Sequence, residues 1–251
     1  MDDRWHSSSY TISRLRGPEW TGSLPDRFGK VVEFRLRAEN ITPESLEAPA
    51  AKDRRYAGVL AMGYHNHSAS SRREELSLGA DVVMIGPQNT LSRFQDYVHD
   101  AIGLPDGAAS YDAQLPNAVH FQGTGEVGRP IALGSVVTLR PFVEGLVGFE
   151  TLARAGADVT LGNLAKDGLM LRDVNTGQRY SAVQGPRGKG LSLTFGGDVA
   201  AVMSSQLLPK GGGVTARDSR SRLRAGLNWQ GEKSFVFFGA TYLSPEFEQQ
   251  T

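Results

Sequence analysis

Apolar and polar residues alternate with a period of two through most of the chain, the spacing a strand needs when its two faces meet different surroundings. From Lys30 to Asn40, one face carries Val32, Phe34, Leu36 and Ala38, and the other carries Glu33, Arg35, Arg37 and Glu39. Between Ser219 and Trp229 the division is cleaner. Ser221, Leu223, Ala225, Leu227 and Trp229 lie on one side, with Arg220, Arg222, Arg224 and Asn228 opposite. Weaker versions cover 8–16, 56–66, 74–85, 118–127, 133–147, 150–162, 168–174, 190–202 and 233–243, which predicts about eleven strands divided by Gly, Pro, Asn or Asp signals. Strands of about 9–11 residues suit a tilted bilayer crossing, whereas soluble strands average about five or six. Two architectures fit. One is an antiparallel transmembrane barrel with charges in a polar lumen, and the other is a soluble barrel or sandwich with one solvated face.

One segment departs from this alternation. Thr90 to Ile102 (TLSRFQDYVHDAI) reads as a helix, about 90–102, started by Asn89 or Thr90 and ended by Gly103 with Pro105. Phe94, Val98 and Ile102 form an apolar stripe, expected to cover the barrel rim or wall from the long connection between Gly86 and Pro116. Gln95 and His99, also four apart, project together from a neighbouring face. The chain therefore reads as a single β-barrel domain, 1–251, with a loop-helix insertion at 86–116.

Composition narrows the chemistry. With 27 Lys+Arg against 27 Asp+Glu, no basic excess is present to neutralise phosphates, which argues against a nucleic-acid partner. The absence of cysteine excludes disulfides, thiolate zinc sites and a cysteine nucleophile. Apolar residues make up 39% and mean hydropathy is −0.30, values that a two-faced barrel strand produces as readily as a soluble domain does. No apolar run is long enough for a transmembrane helix. Met1, Asp2, Asp3 and Arg4 do not open a signal peptide, so a targeting segment, if one is made, is expected to have been removed.

Among five histidines, His65 and His67 share a strand face, but no third metal ligand follows at a recognised spacing, and they read as surface or turn residues. His99, beside the apolar stripe, reads either as a half-buried helix-surface residue or as a functional one. Asp2 and Asp3 are either a frayed terminus or ligands for a hard cation such as calcium. The sequence holds no G-x-S-x-G elbow, phosphate loop or metalloprotease helix motif.

The stretch Leu78 to Gln114 joins a strand ending in Ile85-Gly86-Pro87 to the Gln95-x-x-x-His99 helix and then to Asp112 and Gln114. Together with Asp53-Arg54-x-Tyr56-Ala57-Gly58, the Tyr10-Thr11 pair and the Tyr242-Leu243-x-x-Glu246-Phe247 ending, it resembles the lipid A 3-O-deacylase family of outer-membrane β-barrels. The resemblance implies a twelve-stranded barrel whose active site lies between the wall and a loop helix. It also implies hydrolysis of the ester bearing the 3′-acyloxyacyl group of lipid A, by a histidine-activated water supported by Ca2+. By that correspondence His99 is the general base, Gln95 the helix residue one turn earlier, Thr11 the threonine of the Tyr-Thr motif, and Asp3, with Asp2 beside it, the cation ligand. Lipid A of lipopolysaccharide and outer-membrane lipid become the implied partners, the bacterial outer membrane the implied location, and the oligomeric state is left open.

The chain departs from the family at Asp2, where an asparagine is usual, and at Pro105, near the place of a functional glutamate that adjacent Asp106 could replace. The oxyanion lysine has no clear counterpart beyond Lys52 in the corresponding loop. About eleven strands also fall one short of twelve, and the expectation is that the last strand is missing. Two rival readings follow: a non-catalytic outer-membrane barrel of the same ancestry (structural, binding or pore), and a soluble β-barrel binding protein. An unchanged acyl pattern on incubated lipid A would mark the first. A monodisperse form without detergent would mark the second.

Overall fold

A computed structural model describes residues 8–103, 107–163, 167–185, 189–232 and 234–250. Its main feature is one antiparallel, curled sheet. The wall strands run in sequence order: β1 (Ser8–Arg16), β2 (Val31–Ile41), β3 (Ala57–Ala69), β4 (Glu75–Ile85) and β5 (Ala118–Gly128). After the two-residue β6 (Ile131–Ala132), which only extends the next hairpin, come β7 (Val137–Gly148) and β8 (Glu150–Gly162). The wall ends with β11 (Gly190–Ser205), β12 (Ser219–Gln230) and β13 (Phe235–Leu243). Each wall strand pairs with its neighbours, and β1 and β13 are the two ends of the path.

The alternation read from sequence sorts the two faces. Outward lie Phe34, Met62, Tyr64, Phe121, Val147, Leu223, Trp229 and Phe238, all well exposed. That belt suits hydrocarbon and would be costly in water. No helix among the described residues is long and apolar enough to cross a membrane, so any crossing is made by strands.

The concave face is charged and closely paired. Glu33 bonds Arg35 (2.8 Å) and His67 (3.0 Å), and His65 bonds Asp81 (3.2 Å). Both histidines are buried, which corrects their reading as surface or turn residues: β3 runs on to Ala69 and carries them into the lumen. Asp158 takes Arg224 (2.6 Å) and Arg172 (2.8 Å), and Asp198 takes Arg222 (3.0 Å), Arg154 (3.1 Å) and Arg224.

The segment 168–174, read as one of the eleven strands, is a strand but not part of the wall. β9 (Leu169–Arg172) pairs with β10 (Arg179–Val183) in a separate hairpin inside the curve. Leu169 and Leu171 share one face of this short element and pack with Leu15, Trp20, Leu24 and Val31. Arg172 reaches Glu126 on β5 (2.6 Å) and Asp158 on β8, and its guanidinium lies 3.8 Å over the Phe142 ring. Gln178 donates to the carbonyls of Ala225 and Ala240 (both 3.1 Å), while Asn175 donates to Ser9 Oγ (3.0 Å). The hairpin thus fills the concave face and touches both end strands. That filling gives no support to an open pore.

Candidate active site

The connection from β4 to β5 lies at one end of the wall. A 3-10 turn (Pro87–Asn89) leads into α1 (Leu91–Ile102), and α2 (Ala108–Asp112) follows. Asn89 anchors the start: its Nδ2 donates to Gly58 O (2.7 Å) and its Oδ1 accepts the Leu91 N–H (3.2 Å), a cap formed from one residue further out than the usual position. Gly103 closes α1 in the left-handed conformation at φ 72°, as the sequence predicts.

The helix lies against the outer face of the wall. Asn40 on β2 and Gly58 on β3 are register partners, in phase with the outward Phe34, Leu36, Met62 and Tyr64. A Cβ on Gly58 would stand 2.8 Å from Asn89 Oδ1 and 3.0 Å from Leu91 Cβ, so glycine is what lets the helix start approach this closely.

The amphipathic helix sits the other way round from the sequence expectation. Among its described side chains Ser92, Gln95 and His99 are the buried ones, at 7%, 5% and 7% exposure, while Phe94 (56%) and Tyr97 (72%) face away from the wall. The apolar stripe therefore does not cover the barrel at Phe94. Beside a lipid-facing surface the helix's apolar side gains by meeting hydrocarbon, and its polar side gains by meeting the polar groups at the strand ends.

Tyr56, just before β3, organises those polar groups. Its hydroxyl lies 2.9 Å from Asn40 Oδ1 and 3.1 Å from Gln95 Oε1, and Asn40 Nδ2 donates to Ser8 Oγ (3.1 Å). One hydroxyl carries one proton, so it donates to one amide and accepts from the other, the second amide presenting its NH2. The Tyr111 ring on α2 packs edge-on against Tyr56 at 4.9 Å between centroids. Burial, with Tyr111 beside it, pushes the Tyr56 phenol far above its ordinary pKa, so it stays a neutral hydroxyl over the working pH range. Tyr56 thereby holds Gln95, one helical turn before His99. Sequence reading had placed Tyr56 in a family motif without a role; Asn40 and Ser8 carried no signal beyond strand alternation.

Tyr56→Phe is expected to leave the barrel folded while releasing Gln95, and to slow roughly tenfold any reaction that the Gln95–His99 face supports, because two buried amides lose their shared partner. Heat-modifiable gel mobility alongside initial rates checks both halves of that expectation.

The remaining sequence candidates are dispersed. Thr11 is paired with Arg37 and shares the inner phase of Ser13, which bonds Glu33 (2.5 Å), and it lines a cavity with Tyr180 of the inner hairpin. It therefore lies on the opposite side of the wall from the Gln95–His99 face. Asp2, Asp3, Pro105 and Asp106 fall outside the described residues. Lys52 is exposed on the β2–β3 loop, Asp112 is exposed at the end of α2, and Gln114 donates to Tyr111 O (2.7 Å). Among the described residues no group of three or more His, Asp or Glu side chains is placed to hold a metal ion. The described part of the site does not by itself fit a cation.

A curled wall with an apolar outer belt, a charged and filled interior and a helix seated on its outer face defines an outer-membrane β-barrel protein. The chain belongs to the LpxR family of outer membrane proteins, whose sequence profile matches residues 3–251. This is the lipid A 3-O-deacylase family that the motifs resemble. Compared with curated protein sequences, the chain has no match. Among solved structures it is similar to LpxR from Salmonella typhimurium, with a TM-score of 0.78 at 18% identity, covering 98% of this chain and 85% of that one. Outer-membrane membership replaces the soluble binding-protein reading.

Proposed function

We propose that this barrel hydrolyses an ester-linked acyl chain of lipid A, the 3′-acyloxyacyl group in the reading taken from the family, with His99 as general base. The single observation carrying this reading is the burial of the Gln95–His99 face of α1 against the wall in a member of the LpxR family. A neutral imidazole carries a nitrogen lone pair that can accept a proton from water as the water oxygen attacks the ester carbonyl. The carbonyl carbon–oxygen bond to the sugar then breaks, the proton passes to the leaving alkoxide, and a free fatty acid is released. No serine nucleophile is required. Gln95, held by Tyr56, is the residue proposed to orient the water or the carbonyl beside His99.

A calcium ion, proposed on Asp2 and Asp3, would supply electrostatic stabilisation of the oxyanion when bound. The exposed Phe94 and Tyr97 suit an acyl chain approaching along the helix from the bilayer.

Protein refolded in detergent should convert lipid A to a species lighter by one acyloxyacyl group, read by mass spectrometry. Chelation with EDTA should suppress the conversion and added Ca2+ should restore it. An acyl pattern unchanged at every calcium concentration would favour the non-catalytic barrel. Conversion that is insensitive to chelation would remove the cation and keep the hydrolase.

A further inference from the structure

The zero net charge hides a polarity between the two ends of the wall. At the end opposite α1, Arg14 and Arg16 on β1, Arg27 and Lys30 on the β1–β2 loop, and Arg72 and Arg73 on the β3–β4 turn are all exposed. No carboxylate among the described residues pairs with any of these side chains. Cations in the lumen are held differently: Arg35, Arg172 and Arg224 each reach a carboxylate at 2.6–2.8 Å. The β1–β2 loop also carries exposed Glu19 and Asp26, and Glu74 of the turn accepts from Ser70 (2.9 Å), so this end keeps a basic excess. At the α1 end the exposed charge leans acidic, with Glu47, Asp100, Asp112, Asp218 and Glu248.

Register puts the basic residues on the lipid side. Arg14 pairs with Phe34 and Arg16 with Val32, and directly paired residues share a face, so both arginines lie in the outward phase of Phe34. Asn66, in phase with outward Tyr64 on β3, accepts the Gly29 N–H and holds the Arg27–Lys30 segment on the outer side of the wall. The Ala69 N–H donates to Pro25 O (2.8 Å), tying the same loop to the end of β3, where the turn with Arg72 and Arg73 begins. Among these cations Phe28 is 67% exposed, an aromatic ring of the kind that sits at a membrane–water boundary. From Ser8, level with Asn40, to Arg16 is about 27 Å along β1, or roughly 20 Å across a membrane at a tilt of about 40°. An outer-membrane barrel's apolar band is about 25 Å tall, so α1 and Arg16 stand near its opposite boundaries. The long arginine stems let the charged ends of Arg14 and Arg16 extend to the head groups.

We infer that this basic collar binds the phosphates of anionic phospholipids in the leaflet across the membrane from α1. Exposed cations with no protein partner gain from a lipid that carries net negative charge, whereas the phosphate of a zwitterionic lipid is already offset by its own ammonium group. The choice of leaflet rests on the proposed function, in which lipid A meets α1; the collar itself rests on charge and register alone.

The test uses the full chain in nonionic mixed micelles holding equal amounts of phosphatidylglycerol and phosphatidylcholine, with native mass spectrometry reading which lipid is retained first. One cation near the surface is worth about a fivefold change in binding to anionic lipid, so the wild type should favour phosphatidylglycerol about tenfold or more. Arg14→Gln/Arg16→Gln should lose most of that preference, and adding Arg72→Gln/Arg73→Gln should abolish it. Arg93→Gln/Lys210→Gln makes an equal charge change on exposed residues at the α1 end and should leave the preference intact. No preference in the wild type, a preference that survives the quadruple variant, or an equal loss in Arg93→Gln/Lys210→Gln overturns the inference. Intact Gram-negative cells carrying the barrel decide the leaflet. The chain has no cysteine, so Ser71→Cys beside the collar and Ala109→Cys on α2 each give a single exposed thiol. A bulky, membrane-impermeant maleimide should label Ala109→Cys on intact cells and Ser71→Cys only after lysis. The reverse pattern would put the collar among lipid A phosphates and overturn the phospholipid assignment. Neither measurement reads hydrolysis, so a barrel without esterase activity would leave both outcomes standing.

Discussion

Replacing His99 with alanine is expected to lower lipid A deacylation by a factor of about 10²–10⁴, the range a positioned general base supplies. The residue sits on the buried face of α1, one turn after Gln95, on the side that meets the wall. Alanine is a good helix former, so the substitution should leave α1 and its Asn89 cap in place. The loss should therefore fall on turnover, with the heat-modifiable mobility of the barrel unchanged. Gln95→Ala should reduce the rate less, because it perturbs orientation without removing the proton acceptor. Deacylation at the wild-type rate by a folded His99→Ala protein would falsify the assignment of the base.

The second large effect is expected inside the wall. Asp198 on β11 is almost fully buried and accepts from Arg222 (3.0 Å), Arg154 (3.1 Å) and Arg224. Asp198→Asn keeps the shape but removes the charge that three guanidinium groups share. Breaking one partner out of a buried ionic cluster typically costs about 3–5 kcal/mol. The urea midpoint of unfolding in micelles should fall accordingly, without the volume loss that would confuse the result with a cavity. A midpoint shift worth under about 1 kcal/mol, the range of an exposed pair, would show that water reaches this cluster and screens it.

The wall was largely legible in the sequence, because a strand with lipid on one side and charges on the other must alternate. Arg220, Arg222 and Arg224 against Leu223, Leu227 and Trp229 announced both the strand and its two environments. Leu169 to Leu171 were legible as strand but not as hairpin. An unbroken apolar run reads the same whether the element sits in a wall or packs inside one, and its partner at 179–183 has no alternation to show. At α1 the periodicity gave the two faces correctly and the orientation incorrectly. Phase says which residues lie together, whereas which side turns to the wall depends on the solvent, and here the solvent beside Phe94 and Tyr97 is lipid. His65 and His67 were misread for a related reason: polar residues near a predicted turn look exposed until a lumen with Asp81 and Glu33 is there to receive them. Tyr56 was visible as a motif residue but not as an organising one, because a motif position carries no signal for what its hydroxyl meets. Its role exists only once Asn40 and Gln95, far apart in the chain, meet at its hydroxyl.

The outward-turned apolar side of α1 has a consequence for how this protein should be assayed. An acyl chain that approaches along Phe94 and Tyr97, as proposed, is drawn from within the bilayer plane rather than from the aqueous phase. Encounter is then two-dimensional, and the concentration that governs rate is the mole fraction of substrate in the surface. Diluting lipid A with inert detergent at constant bulk concentration should slow the reaction, while diluting the whole suspension with buffer should leave the rate per barrel nearly unchanged.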